Sequence, residues 1–195
     1  MQKKVKTVNT LLDALPFIKE FNKEIVVIKY GGSAQTSPKL KEKFAEDILL
    51  MYLVGIRPVI IHGGGHKITD MLEALKIPSE FIEGQRVTTI AEMILSGEIN
   101  KDLVSLLNSH GAKAIGVSGK DAHFISGEPK DVEKWGLTGN ITNVKSEVLF
   151  KLISDGFIPV IAPIAAGVEI GHPGFNINAD LCASYVAKAI GANLK

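Results

Sequence analysis

The sequence IVVIKYGGSA, residues 25–34, begins as an almost unbroken run of β-branched apolar residues and passes through Lys29 into two glycines. Three later runs have the same apolar character: residues 58–62 (PVIIH), 114–118 (AIGVS) and 159–163 (PVIAP). Short continuous apolar runs are typical of strands that are buried on both faces, as in a parallel sheet. We therefore expect the four runs to form one buried sheet.

Longer amphipathic stretches lie between these runs, and each of them ends at a glycine. Apolar residues recur at helical spacing in residues 44–53, 103–110, 148–153 and 179–190. The glycines that follow are Gly55, Gly111, Gly156 and Gly191. A glycine directly after a helical pattern is typical of a C-terminal cap. The alternation of strand and helix predicts an α/β fold, a three-layer αβα sandwich with a mostly parallel central sheet.

Residues 123–143 lack a helical period and contain several turn-forming residues. These are Gly127, Pro129, Gly136 and Gly139. We interpret the stretch as a loop or an exposed β-hairpin beside the sheet.

Composition excludes several classes of protein. The 195 residues include 22 Lys+Arg and 21 Asp+Glu, a net charge of +1, and 46% are hydrophobic. This balance argues against disorder and against nucleic-acid binding through a basic surface. The single cysteine, Cys182, can form no intrachain disulfide, and we expect a cytoplasmic protein. The longest apolar run, near residues 157–168, is interrupted by Pro159 and Pro163 and is too short to span a bilayer.

The first strand ends in a turn that is a candidate anion-binding site. Lys29 stands at the carboxyl end of a buried strand, where α/β sheets bind ligands. Gly31 and Gly32 follow and let backbone N–H groups approach an anion. The alternative is a plain strand-to-helix turn with a solvated lysine.

The second strand ends in three consecutive glycines, Gly63, Gly64 and Gly65, before a helix predicted over residues 67–75. The N–H groups and dipole of a helix start favour an anion there. The alternative is a flexible turn. We interpret His62 as a packed strand-end residue, because the scattered histidines show no metal-binding spacing, and no metal site is predicted.

Two further polar segments are candidates for ligand binding. Arg86 lies in GQRVT, residues 84–88, and its planar guanidinium suits a carboxylate. In NINAD, residues 176–180, Asn176 and Asn178 alternate and should face the same side. Asn178 or Asp180 is equally suited to cap the helix that follows.

In combination these motifs resemble the acetylglutamate kinases, a branch of the amino acid kinase family. The matching segments are IVVIKYGGSA, FAEDILLMYLVGIRPVIIHGGG, SEFIEGQRVT, INKDLVSLLNSHG, SGKD, FIPVIAPI and NINAD, from about residue 25 to about residue 185. The resemblance implies ATP-dependent phosphorylation of the side-chain carboxylate of N-acetyl-L-glutamate to N-acetyl-L-glutamyl 5-phosphate, the second step of arginine biosynthesis. ATP is expected to act with Mg²⁺, its phosphates needing a counter-ion.

The resemblance also assigns roles to individual residues. Lys29 resembles the catalytic lysine that stabilises charge on the transferring phosphoryl group, and Asp180 the aspartate that orients the catalytic lysines. The implied phosphate-binding amides are those of Gly31, Gly32 and Gly63. The implied substrate-binding set is Gly64, Gly65, Arg86, Asn176 and Asn178.

Two departures from the family pattern affect these expectations. Family members continue well beyond the position of Lys195, and the resemblance places most of the ATP site and a second catalytic lysine there. We therefore expect residues 25–195 to form the amino-acid-substrate lobe, with the ATP lobe largely absent, and to be incomplete for turnover. Between Thr88 and Ile90 the family has additional residues, which affects the substrate lid next to Arg86.

Residues 1–24 are expected to form a separate helical extension. Val8, Leu11, Leu12, Leu15 and Ile18 fall near one face of this predicted helix. The resemblance implies a homodimer, a hexamer assembled through the extension, and L-arginine as an inhibitor. The alternative is a helix that packs on its own lobe.

Two other functions remain open at this level. One is a non-catalytic lobe that binds N-acetylglutamate or regulates full-length subunits. The other is a sister kinase that acts on a different acidic substrate.

Overall fold

A computed structural model of the protein describes residues 2–76, 81–82, 85–86, 90–130, 138–167 and 174–192. The strands are β1 (Ile25–Tyr30), β2 (Arg57–His62), β3 (Phe81–Ile82), β4 (Gln85–Arg86), β5 (Ala114–Ser118), β6 (Ile125–Pro129), β7 (Gly139–Val144), β8 (Ile158–Ala162), β9 (Ile164–Gly167) and β10 (Phe175–Asn176). The helices are α1 (Gln2–Phe21), α2 (Gly32–Gln35), α3 (Pro38–Leu53), α4 (Gly65–Ala74), α5 (Ile90–Glu92), α6 (Asn100–Ser109), α7 (Ser146–Ser154) and α8 (Ala179–Ala189). Met93–Ile99 is π-helical and joins α5 to α6.

The four apolar runs form one parallel sheet in the order β1-β2-β8-β5. Ile25 pairs with Arg57 at one end of the β1–β2 ladder, and Tyr30 pairs with His62 at the other. All four strands run in the same direction. The carboxyl ends of the strands therefore lie along one edge of the sheet, and the predicted α/β fold is confirmed.

The sheet lies between two helical layers. Side chains of a strand alternate between the two faces of the sheet, and apolar side chains on both faces must be covered. Val59 and Ile61 are fully buried on one face and belong to a core that also contains residues of α7 and α8. Ile60, between them in sequence, is buried on the other face with residues of α3 and α6. Burial of each such side chain stabilises the folded state by roughly 1.5–3 kcal/mol. A run with apolar residues at successive positions therefore favours a central strand, where both faces of the sheet are covered by helices.

The predicted helix stops are confirmed by the backbone. Gly55, Gly111, Gly156 and Gly191 have φ angles of 93°, 92°, 80° and 63°. This left-handed conformation is strained for residues with a Cβ atom and common for glycine directly after a helix.

The stretch predicted as a loop or an exposed hairpin needs a correction. β6 and β7 do pair antiparallel, but β6 also pairs with β9, which pairs with β10. Together they form a second four-stranded sheet, in which Ile125, Gly127 and Ile141 are buried. The pair is therefore only partly exposed, because its apolar residues pack into the core beside α8.

The predicted N-terminal helix is present as α1, and most of its predicted apolar face is exposed. Val8, Leu11, Leu12 and Leu15 are 54%, 63%, 59% and 40% exposed, and Ile18 is half-buried. No helix in the described ranges is long and apolar enough to cross a membrane.

Candidate active site

A cleft of about 210 Å³ lies at the carboxyl edge of the parallel sheet. Residues that are far apart in sequence meet there because β1 and β2 end side by side. Of the predicted site residues whose side chains the structure describes, all but Gly31 line this cleft. Apolar side chains, including those of Ile68 and Leu95, complete its wall. The topology thus brings the two glycine turns and the NINAD segment together, as parallel strand ends do in α/β proteins.

Lys29 and Asp180 form an ion pair at this cleft. The distance from Lys29 Nζ to Asp180 Oδ1 is 3.1 Å, and the side chains are 35% and 70% exposed. Lys29 lies near the end of β1, and Asp180 is in the first turn of α8, which packs beside β1. An ion pair this exposed adds little to stability, at most about 1 kcal/mol. What it provides is a lysine ammonium held at a fixed place in the cleft.

The whole NINAD segment borders the cleft. Asn176, Ile177 and Asn178 all line it, and Ile177 is also buried in the core. The predicted shared face of Asn176 and Asn178 therefore stays a prediction. The side-chain oxygen of Asn178 accepts hydrogen bonds from the backbone N–H of Asp180 (2.9 Å) and of Leu181 (3.1 Å). Asn178 is therefore the N-cap of α8. Its predicted substrate contact remains a prediction, and only its amide nitrogen is left to make one.

The two glycine turns differ in how closely they are packed. A Cβ atom on Gly64 would overlap Ile99 Cδ1 and lie 2.7 Å from Leu95 Cδ2 of the π-helical segment. A Cβ atom on Gly65 would meet nothing within 4 Å. Gly64 is therefore packed closely against two buried side chains, whereas a side chain at position 65 would extend into open space. Helix α4 begins at Gly65, two residues before the predicted start, so its first free N–H groups belong to this turn.

Gly31 does not line the cleft, but it lies beside Lys29, the candidate catalytic lysine. A Cβ atom on Gly31 would be 3.7 Å from Lys29 Nζ.

Arg86 forms part of β4, which pairs with β3 through Phe81 opposite Arg86. The side chain of Arg86 lies outside the described residues, as do residues 87–89, where the family's additional residues were expected. The substrate role of Arg86 therefore stays a prediction.

His62, at the end of β2, is fully buried in a hydrogen-bonded network. Asn100 of α6 donates from Nδ2 to His62 Nε2 (3.2 Å) and to the carbonyl of Val160 (2.9 Å). Because Nε2 accepts, the ring proton resides on Nδ1, which donates to the carbonyl of Gly63 (3.2 Å). Burial is the main cause that lowers the pKa of His62 from 6.5 to about 4; the hydrogen bond to the Gly63 carbonyl opposes this change, and the charge of Lys101 adds to it. The prediction of a packed strand-end residue is confirmed.

This network makes stability depend on pH. The folded state holds His62 neutral down to about pH 4, whereas in the unfolded chain it binds a proton near pH 6.5. The contribution of His62 to the free energy of unfolding is therefore fully present above pH 6.5. It falls by about 1.4 kcal/mol per pH unit as the pH drops towards 4, a total of roughly 3 kcal/mol. Urea unfolding at several pH values measures the effect.

The variant His62→Gln should lose this component, and His123→Gln, at an exposed position, should keep it. Identical pH profiles for His62→Gln and the unsubstituted protein would contradict the assignment.

A larger cavity of about 510 Å³ lies next to the cleft and shares Gly32 and Gly65 with it. Its walls come from α3, α4 and α6 and carry charges of both signs, including Lys41, Asp70 and Asp102. The cleft, and not this cavity, contains the Lys29–Asp180 pair, so we place the candidate chemistry in the smaller space. Within the described residues, no cluster of three metal-binding side chains is present.

Two residues near the cleft were not found from the sequence. Gln35 hydrogen-bonds to both glycine turns, and Asn100 joins α6 to β2 and β8. Asn100 lies in the matching segment INKDLVSLLNSHG, and Gln35 directly follows IVVIKYGGSA. The resemblance assigned a role to neither residue, because their contacts join segments that are far apart in sequence.

The sequence pattern of the amino acid kinase family matches residues 24–194 of the chain. The acetylglutamate kinase of Sulfurimonas denitrificans is 75% identical over 198 aligned residues, which cover 99% of this chain and 70% of that protein. The acetylglutamate kinase of Nitratiruptor sp. is 66% identical and covers 98% of this chain and 69% of that protein. The chain thus spans about 70% of the length of these relatives.

Solved structures share the fold. The protein smu.665 from Streptococcus mutans UA159 has a TM-score of 0.77 at 29% identity, over 87% of this chain and 70% of that one. The N-acetylglutamate synthase of Neisseria gonorrhoeae, solved with coenzyme A and N-acetyl-glutamate, has a TM-score of 0.79 at 22% identity. That likeness covers 95% of this chain and 43% of the synthase and is one of fold.

Proposed function

The chain belongs to the amino acid kinase family, and on that basis we propose that it transfers a phosphoryl group from ATP to N-acetyl-L-glutamate. A side-chain carboxylate oxygen of the substrate attacks the γ-phosphorus of ATP, and the bond to the β-phosphate oxygen breaks. The products are N-acetyl-L-glutamyl 5-phosphate and ADP.

One observation carries the proposal at the level of chemistry. The cleft combines a lysine ammonium, fixed 3.1 Å from a carboxylate, with two turns made of glycines. Phosphoryl transfer requires positioning and charge stabilisation more than covalent help from the protein. Lys29 is suited to neutralise charge on the phosphoryl group, and Asp180 holds the ammonium in place. The amides of Gly31, Gly32 and Gly63 are suited to its oxygens.

Substrate recognition follows from the remaining groups. N-acetyl-L-glutamate carries a second carboxylate and an amide. The guanidinium of Arg86 suits the carboxylate, and Asn176, Asn178 and the Gly64–Gly65 amides suit the other polar groups. Ile68 and Leu95, which line the same cleft, offer apolar contact to the acetyl methyl group.

Mg²⁺ is proposed as the partner of ATP. Within the described residues no trio of carboxylate, histidine or cysteine side chains is placed to hold a metal ion. The ion would therefore be held chiefly by phosphate oxygens, as Mg²⁺ commonly is in phosphoryl-transfer sites, and would neutralise phosphate charge there.

The exposed face of α1 supports a proposal about assembly. Its leucines and Val8 are 40% to 63% exposed, and an open apolar face of this kind favours a partner surface. We propose that it packs against a second copy of the chain, joining homodimers into a hexamer. Inhibition by L-arginine, a cytoplasmic location and the division into residues 1–24 and 25–195 are proposed on the family resemblance.

ADP release by the full-length gene product with ATP, Mg²⁺ and N-acetyl-L-glutamate tests the function, because residues 25–195 are expected to be incomplete for turnover. The full-length gene product is also the protein used in the kinetic assays below. L-glutamate and L-aspartate are the matched alternatives. We expect ADP to form with N-acetyl-L-glutamate at a kcat/KM at least about tenfold above either alternative, because the cleft would recognise the acetyl group. Calorimetric titration of the same protein with the three acids accompanies the assay.

Each other outcome has a defined meaning. Faster turnover of L-glutamate or L-aspartate would replace the proposal with a sister kinase. Selective binding of N-acetyl-L-glutamate without ADP release would replace it with a non-catalytic binding lobe.

A further inference from the structure

The side-chain amide of Gln35 joins the two glycine turns. Its Nε2 donates to the carbonyl of Tyr30 at 3.2 Å and to the carbonyl of Gly63 at 3.0 Å. Both amide hydrogens are therefore used, one on each turn. Because both acceptors are carbonyl oxygens, only the nitrogen of the amide can occupy this place, which fixes its orientation.

The Gly63 carbonyl receives a second hydrogen bond, from Nδ1 of the neutral His62 at 3.2 Å. His62 is in turn held by Asn100, whose own Nδ2 also donates to the Val160 carbonyl. The Tyr30 carbonyl likewise receives a second bond, from the backbone N–H of Gly63 at 3.2 Å. Each of the two carbonyls that Gln35 binds is thus held from two directions.

Because peptide groups are planar, these contacts also fix the directions of the N–H groups of Gly31 and Gly64. In a trans peptide the C=O and the following N–H point in opposite directions. Because Gln35 draws in the carbonyls of Tyr30 and Gly63, the N–H groups of Gly31 and Gly64 must point away from Gln35. Gln35 lines the larger cavity, and Gly63 and Gly64 line the cleft that contains Lys29.

We propose that Gln35 is a positioning residue that sets the direction and spacing of two N–H groups, that of Gly31 for the transferring phosphoryl group and that of Gly64 for the substrate. The inference rests on the proposed function, because it assigns a use to amides of that site. Gln35 does not line the cleft and acts only through the two peptide groups. A small displacement of such donors lowers the rate strongly, although each hydrogen bond contributes little to stability.

The test compares two Gln35 variants with a control in steady-state kinetics. Gln35→Met keeps the length of the side chain and removes both donors, and Gln35→Lys restores a donor. We expect Gln35→Met to lower kcat about tenfold, with a smaller change in the KM for N-acetyl-L-glutamate and a melting temperature within a few degrees. Gln35→Lys should recover most of that kcat. Ser105→Ala, exposed on another wall of the same cavity, should leave kcat within about twofold.

NMR of glycine-¹⁵N-labelled protein without ligand supplies a readout independent of turnover. The amide resonances of Gly31 and Gly64 should shift in Gln35→Met and return towards their original positions in Gln35→Lys. Unmoved resonances, or a kcat for Gln35→Met within twofold of the unsubstituted protein, would overturn the inference. If Gln35→Met fails to fold, Gln35→Lys decides, because a kcat tenfold below normal would then overturn it.

The two failures are distinguishable. If the unsubstituted protein releases no ADP with N-acetyl-L-glutamate, the proposed function fails. The NMR comparison still shows in that case whether Gln35 orients the two amides.

Discussion

Replacing Lys29 with alanine is expected to lower kcat by about 10³-fold and to leave the protein folded and nearly as stable. Lys29 is the one lysine or arginine among the described residues that line the cleft, and Asp180 Oδ1 lies 3.1 Å from its Nζ atom. Its removal leaves the charge on the transferring phosphoryl group without its counter-charge. Stability should change little, because the Lys29 and Asp180 side chains are 35% and 70% exposed.

The measurement pairs turnover with binding. Steady-state ADP release should show the loss of kcat, while calorimetry should give a Kd for N-acetyl-L-glutamate within several-fold of the unsubstituted protein. Lys113→Ala is the matched control, because Lys113 is exposed and directly precedes β5, at the opposite edge of the sheet. It should change neither quantity. A Lys29→Ala protein that retains more than a tenth of the normal kcat would refute the role of Lys29.

Replacing Gly64 with alanine should damage both stability and binding. The new methyl group would overlap Ile99 Cδ1 and lie 2.7 Å from Leu95 Cδ2, and both side chains are buried. Relief requires the buried Ile99 and Leu95 side chains to shift or change rotamer, at a cost of about 1–3 kcal/mol. Because the turn carries the amides proposed to bind substrate and phosphate, we expect binding of N-acetyl-L-glutamate to weaken about 100-fold.

Two other glycines separate packing from ligand contact. Gly97→Ala, at an exposed helical position with nothing within 4 Å of the new Cβ atom, should leave binding unchanged and raise the free energy of unfolding by up to about 1 kcal/mol. Gly65→Ala is equally unobstructed in the protein, so its stability should be normal while binding weakens because the methyl group enters the cleft. Urea unfolding and calorimetry of the three variants test this. Normal binding by Gly64→Ala would show that this turn does not position the ligand.

Much of the fold could be predicted because local patterns and burial agree. Residues 25–29 were expected to form a strand, and β1 extends only one residue further, to Tyr30. Apolar side chains on both faces leave such a segment few alternatives to a central strand. The helix stops followed from glycines because the left-handed conformation after a helix selects that residue.

The second sheet could not be predicted from the same kind of pattern. β9 and β10 are short, and β6 contains Ser126 and Gly127, so neither length nor alternation distinguishes them from loops. They become strands through pairing with each other and with β7. The interpretation of residues 123–143 as a loop or an exposed hairpin was incomplete for that reason.

The alternation of the four parallel strands with helices, the helix stops and the residue types that an anion site needs were all predictable from the chain alone. Those features depend on neighbours in the chain, on the periodicity of apolar side chains and on glycine's freedom at positive φ. Only the tertiary structure brought Lys29 to Asp180, made Asn178 the cap of α8 and closed Gly64 against Ile99. It alone placed Gln35 between the carbonyls of Tyr30 and Gly63. Contacts between distant segments depend on strand order and packing, which no local pattern encodes.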